Sequence, residues 1–189
     1  MAVKNKPSKR DAILDAMLDI VVERGFHDAP MSLVAQRSGA SAGVIYHYFP
    51  SKEAIIQALY ERIRALKRAS ILEGISLEQD PHDMFIQGCL NTYNLYRKHK
   101  REMRFYEQYA HAGFICAPES APTDESAAAF MQRFSGQSKG GVLKDWPAEV
   151  LNELTMNLVI RLASQPRKLP EPLLLEIAEG MWDLVKWKT

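Results

Sequence analysis

The sequence predicts an all-α chain of about nine helices, and three observations carry that expectation. Apolar residues recur at the three- and four-residue spacing of a helical face along most of the 189 residues. No stretch shows the apolar–polar alternation of a half-buried strand, and no internal repeat or low-complexity tract interrupts the pattern. Gly, Pro and Ser fall between the periodic segments, where helices start and stop. The apolar share, 47%, is high enough to build a core and excludes an extensively disordered chain. Lys plus Arg number 24 against 23 Asp plus Glu, so any surface for a polyanion must be local. Two clusters qualify: Lys4, Lys6, Lys9, Arg10 and Arg62, Arg64, Lys67, Arg68.

The first helix is expected over Lys9 to Arg24, with Ile13, Leu14, Met17, Ile20 and Val21 on one face and Asp11, Asp15 and Asp19 on another. Gly25 is placed for a left-handed C-cap, with Phe26 folding back on Val21. Pro30 suits a first turn, where its missing N–H is not needed, and a short helix follows over Met31 to Ser38. Ser38-Gly39-Ala40-Ser41 forms a tight break, and Ser41 caps a second short helix, Ala42 to Phe49. Pro50 ends it. Ser51 then caps a long helix with Ile55, Ile56, Leu59, Ile63 and Leu66 on its buried side. Further helices are expected at Pro81 to Lys98, Arg101 to Phe114, after a Thr123 cap, Pro147 to Ser164 and Glu171 to Lys186.

Two short helices joined by a Gly-containing turn have the sequence form of a helix-turn-helix. The run Ala29 to Ile55 makes the pattern specific. It contains Ala35-x-x-x-Gly39, then Ser41-x-Gly43-x-Ile45-Tyr46-x-Tyr48-Phe49, then Ser51-Lys52-Glu53. This segment resembles the DNA-binding region of the tetracycline-repressor (TetR) family, over about the first quarter of the chain. The resemblance implies an N-terminal three-helix DNA-binding domain, here residues 1–52 with its turn near 38–41 and recognition helix about 42–49. It also implies a C-terminal helical bundle, residues 53–189, for ligand binding and dimerisation. The expected function is a repressor that binds a palindromic duplex operator as a homodimer and is released by a small apolar or amphipathic effector.

The residues support the first part of that reading independently. Gly43 inside a helix costs about 1 kcal/mol relative to Ala, which makes sense where the backbone approaches another surface. Ala42 and Val44 offer methyl groups of the kind that meet thymine methyls, and His47 offers a ring donor for a base edge or phosphate. Ser41, Tyr46, Tyr48 and Lys52 are residue types that hold phosphates, Lys52 beside a helix N-terminus. The resemblance places Ala42, Gly43, Tyr46 and His47 towards bases or nearby phosphates, and Tyr48 and Lys52 on the backbone. Phe49 shares a face with Ile45 and reads as core. Two departures from the family pattern stand out: Pro30 where a capping Ser or Thr is common, leaving Ser32 the nearest hydroxyl, and Val44 where Thr is frequent.

In the remainder, aromatic and sulfur side chains crowd between Met84 and Phe114, and Phe130, Met131 and Phe134 can join them. Such a bundle serves equally as an ordinary core or as an apolar pocket. The resemblance favours a pocket, with Cys89, Tyr93, Tyr96, Phe105, Tyr109, Phe130 and Phe134 as its candidates. Leu151, Leu154, Leu158 and Leu162 stripe one late helix, and Leu174, Ile177, Ala178, Met181, Trp182 and Val185 the other. These stripes fit burial within the chain or a shared interface, and the resemblance favours the interface.

Other classes find little support. No phosphate-binding Gly loop, His-Glu-x-x-His pair or nucleophile elbow occurs, and the five histidines lack metal-ligand spacing, so neither an enzyme nor a cofactor or metal site is expected. Cys89 and Cys116 make no disulfide framework, which fits a reducing cytosol. No signal peptide or membrane span is expected. A pure protein-interaction bundle would explain the helices but not Gly43, Tyr46, Tyr48 and Lys52.

Overall fold

A computed structural model describes residues 8–112, 130 and 132–187, and of Gln137 the backbone only. Among these residues nine α-helices and one 3-10 turn have defined bounds, residues 130, 132 and 133 are helical as well, and there are isolated bridges and no strand. The helices are α1 (Lys9–Arg24), α2 (Met31–Ser38), α3 (Ala42–Tyr48), α4 (Lys52–Ile71), α5 (Pro81–Lys98), α6 (Lys100–His111), α7 (Ala148–Leu154), α8 (Met156–Ser164) and α9 (Glu171–Val185). The all-α expectation holds. Phe114, Cys116, the Thr123 cap and Met131 lie outside the described residues.

The described residues divide into two compact units, one of residues 8–66 and 100–112, the other of residues 67–99, 130 and 132–187. Helix α4 runs through the division.

In the first unit, α1 is capped by Ser8, whose Oγ accepts from the Asp11 N–H at 3.1 Å. Its apolar face, from Ile13 to Val21, is almost wholly buried and packs against α2 and α6. The left-handed cap expected at Gly25 does not form: φ is +82° but ψ is extended at 174°, and the Gly25 N–H donates to the Val21 carbonyl. Phe26 instead turns edge-on to Phe105 and Tyr109 of α6, with ring centroids 5.4 and 6.0 Å away. Tyr109 stacks on Tyr60 of α4 at 4.2 Å, and its hydroxyl donates to Gln57 at 2.9 Å. Arg101 of α6 reaches Asp19 of α1 at 2.7 Å, and Arg62 of α4 reaches Asp15 at 2.7 Å. Two of the regularly spaced aspartates therefore tie α1 to α6 and α4.

In the second unit, α5 packs against α8 and α9, and α7 leads into α8. Asp80 caps α5 by accepting from the His82 N–H at 2.8 Å, with Pro81 in the first turn. The single helix expected over Pro147 to Ser164 is broken at Thr155 (φ −124°, ψ −92°). The Thr155 hydroxyl donates to the Leu151 carbonyl at 2.7 Å, the kind of back-bond that bends helices. Helix α9 ends against residues 142–144: the Lys144 N–H donates to the Val185 carbonyl and the Trp187 N–H to the Val142 carbonyl, both at 2.9 Å.

Candidate nucleic-acid interface and internal cavity

Helices α2 and α3 are joined by a three-residue turn. Gly39 ends α2 with φ +63° and ψ +24°, the left-handed conformation that glycine adopts without steric cost. The Ser38 hydroxyl accepts from the Ala40 N–H at 3.3 Å, and Lys9 of α1 donates to the Gly39 carbonyl at 3.3 Å. Ala40 is buried, and Ser41 caps α3 by accepting from the Val44 N–H at 3.4 Å. Pro30 stands at the N-cap of α2, one position earlier than a first-turn proline, and makes no side-chain cap. Arg37 fixes the far side of α2 with a two-pronged ion pair to Glu23, at 2.6 and 2.8 Å.

This framework buries one side of α3 and bares the other. Ile45 and Phe49 are in the core, and the Arg10 guanidinium lies over the Phe49 ring at 5.2 Å. Ser41, Ala42, Gly43, Tyr46, His47 and Tyr48 are exposed, and Val44 is half-buried. The exposure is large for aromatics: 54% for Tyr46 and 43% for Tyr48. A Cβ built on Gly43 meets nothing within 4 Å. The fold itself therefore gives no reason for glycine at that position. Lys52 is half-buried and donates to the Phe26 carbonyl at 2.7 Å, which holds its ammonium beside the start of α4. An ammonium has three donors, so this bond leaves capacity for an anion.

The second unit holds a partly open cavity of about 440 Å³, a size typical of small-molecule sites. Met84, Gly88, Thr92 and Tyr96, four residues apart on α5, form one wall. Ala148, Asn152, Met156 and Ile160 on α7 and α8 form another, and Phe85, Phe130, Phe134 and Lys67 and Ile71 of α4 also line it. Gly88 opens the space: a Cβ there would meet only the Ile75 Cδ1, at 3.9 Å.

The pocket candidates read from the sequence are not all brought together. Tyr96, Phe130 and Phe134 line the cavity. Cys89 and Tyr93 are buried on the same helix but off its cavity face; burial pushes the Cys89 thiol up to about 12, and the Tyr93 hydroxyl accepts from the Leu169 N–H at 2.8 Å. Phe105 and Tyr109 sit in the other unit, in the cluster with Phe26 and Tyr60. Lys67, Gly88, Thr92 and Asn152 were missed. The four-residue ladder 84-88-92-96 with a glycine inside it was the available signal.

The late stripes also sort differently. Met181 and Trp182 belong to the unit's own core: Trp182 is 8% exposed and packs against Phe85 at 5.4 Å. Leu151, Leu154, Leu158 and Ile177 are half-buried. The outward row of α9 is Leu173, Ile177, Gly180 and Leu184, at spacings of four, three and four, with Leu173 and Leu184 over 40% exposed. Among the described residues no three His, Cys, Asp or Glu side chains gather as a metal site, and no helix is long and apolar enough to cross a membrane.

Residues 13–59 match the family model of bacterial regulatory proteins, tetR family. The chain is 37% identical over 67 residues to the HTH-type transcriptional regulator BetI of Klebsiella pneumoniae (strain 342), covering 35% of this chain and 34% of that protein. It is 36% identical over 84 residues to the BetI regulator of Escherichia coli O17:K52:H18, covering 44% and 43%. The matched segment thus spans well under half the length of these relatives. A TetR family transcription regulator from Marinobacter aquaeolei VT8 superposes with a TM-score of 0.83 at 19% identity, over 95% of this chain and 96% of that one. A putative TetR family regulator from Vibrio parahaemolyticus superposes with a TM-score of 0.74 at 22% identity, over 96% and 100%. Residues 13–59 are thus similar to the N-terminal segment of bacterial regulatory proteins of the tetR family, and the chain as a whole shares the fold of these solved structures.

Proposed function

We propose that the protein regulates transcription by binding a palindromic duplex operator as a homodimer, and that a small effector in the cavity of the second unit releases it. The observation that carries the reading is the bared face of α3. Two large aromatics, a histidine and an unexplained glycine occupy a surface that the chain's own core does not use. In a major groove, Ala42, Gly43, Val44 and His47 would meet base edges. Ser41, Tyr46, Tyr48 and Lys52 would meet phosphates. A helix-turn-helix reads few base pairs, so two copies on a two-fold axis supply the needed specificity. The outward row of α9 supports such pairing, because a four-three repeat of apolar residues is the seam along which helices associate.

The effector reading rests on the cavity and on α4. That one helix begins at Lys52 and continues in sequence to Lys67 and Ile71. A ligand that favours one position of Lys67 and Ile71 over another would bias Lys52 through the same helix, provided its affinity differs between the two states. Selection of bound fragments from a genomic pool, followed by gel shift at physiological salt, tests the function. A recovered inverted repeat is expected; equal affinity for selected and random DNA overturns the reading.

A further inference from the structure

We propose that Lys9 and Arg10, at the start of α1, hold duplex phosphates at the two ends of α3 and complete with Lys52 a clamp of three cations per subunit; this rests on the DNA-binding reading above. The Lys9 ammonium donates to the Gly39 carbonyl at 3.3 Å, in the turn that precedes α3. The Arg10 guanidinium lies 5.2 Å from the centre of the Phe49 ring, at the residue that ends α3. Both side chains are exposed. Two consecutive residues of one helix thus set a positive charge at each end of another.

The kind of partner singles these cations out. Lys9 and Lys52 are steered by main-chain carbonyls and Arg10 by a ring, and neither kind of partner cancels a charge. One bond to a carbonyl leaves an ammonium two donors, and a ring face takes none of the five on a guanidinium. Four other arginines of the same unit are neutralised. Arg37 meets Glu23 at 2.6 Å, Arg62 meets Asp15 and Arg101 meets Asp19 at 2.7 Å, and Arg64 meets Glu61 at 3.7 Å. Asp11, the acid nearest to Lys9 and Arg10 in sequence, accepts from the Ser8 hydroxyl at 2.6 Å. The two basic runs of the sequence therefore differ in kind: Arg62 and Arg64 are tied to carboxylates, while Lys9 and Arg10 are held beside α3 with their charge intact. Three cations per subunit make six in a dimer, and at about −0.9 per phosphate they account for a slope of log K against log salt of roughly −5.

Gel shifts of the full chain on its selected operator and on random duplex, from about 50 to 200 mM salt, test the clamp. Lys9→Gln and Arg10→Gln are each expected to reduce the slope by about two, one contact from each subunit, and the double variant by roughly three to four. The ratio of selected to random affinity should stay within about twofold, since phosphates carry no sequence. Lys9→Arg and Arg10→Lys keep the charge and should keep the slope. Arg62→Gln and Arg101→Gln remove cations already neutralised and should leave it unchanged. A merely structural role for Lys9 and Arg10 would lower the melting temperature and leave the slope of the folded protein as it was. A wild-type slope in the double variant, or an equal loss in Arg62→Gln, overturns the clamp. Equal wild-type affinity for both duplexes, with the slope still lost in the double variant, keeps the clamp and refutes the operator. Operator preference with an unmoved slope does the reverse, and binding to neither duplex overturns both.

Discussion

Gly43 isolates the difference between what a residue does for the fold and what it does for a partner. Its position is helical and its Cβ direction is open, so Gly43→Ala should raise stability by about 1 kcal/mol. The same methyl would stand between α3 and a groove floor, and operator affinity should fall at least tenfold. Paired thermal melts and gel shifts give the two signs; a stabilised variant with unchanged operator affinity would remove Gly43 from the interface. His82 offers a second test at this scale. Its Nε2 lies 2.8 Å from Glu179 of α9 and its Nδ1 3.0 Å from Asp83, and the bond to Glu179, with Asp83 assisting, holds its pKa above the ordinary value of 6.5. A raised folded-state pKa contributes stability that is full below about pH 6.5 and lost as pH rises through the raised value. Urea midpoints should therefore decline as pH rises above about 6.5, and Glu179→Gln should flatten the decline. A wild-type profile no steeper than the variant's would rule the pair out.

Among the elements, α9 divides most sharply into an inner and an outer face. Leu174, Ala178, Met181, Trp182 and Val185 face the unit's core, while Leu173, Ile177 and Leu184 face outward. Leu173→Glu with Leu184→Glu should give a folded monomer by light scattering. Met181→Ala should instead cost about 2–5 kcal/mol of stability, the range for a buried Met truncated to Ala. A dimer that survives both outward glutamates would move the interface elsewhere. The sequence carried α1, α2 and α5 to their observed ends because caps and glycines marked them: Arg24 before Gly25, Ser38 before Gly39, Asp80 before Pro81. It carried the inner row of α9, since Leu174, Ala178, Met181, Trp182 and Val185 form one legible stripe, but not whether that row meets the chain's own core or another copy, since Leu173 and Leu184 make the opposite side apolar as well. Periodicity alone cannot choose between two apolar rows when one is covered by the chain and the other is bare. Thr155 was opaque for a similar reason: a threonine back-bond depends on a backbone already bent around it.

At the scale of the whole molecule, the near balance of charge makes the basic contacts a local matter. A dimer neutralising about six to eight phosphates should lose operator affinity with a slope of log K against log salt of roughly −5 to −7. Lys52→Ala should weaken selected and random DNA alike and reduce that slope by about two, one contact per subunit, whereas His47→Ala should alter preference at one or two base pairs. A slope near zero would refute contact with the phosphate backbone altogether. The helix-turn-helix was legible in full because its residues are contiguous and each carries a local geometric demand. The cavity was legible only in part. Its walls come from α4, α5, α7 and α8, and the aromatic crowding that marked it belongs to two separate clusters.

The second of those clusters bears on how this chain can be taken apart. Phe26 and Tyr60, from the first sixty residues, rest on Phe105 and Tyr109, which arrive forty residues later in α6. A reading head cut after residue 52 or 66 would lose those two rings and leave Phe26 bare, together with an Asp19 deprived of Arg101. The unit is compact in space but split along the gene. Exchange of recognition specificity between relatives therefore has a narrow route. Substitutions along α3 are portable, whereas a transplanted N-terminal cassette must bring α6 with it or be refitted to the α6 it finds.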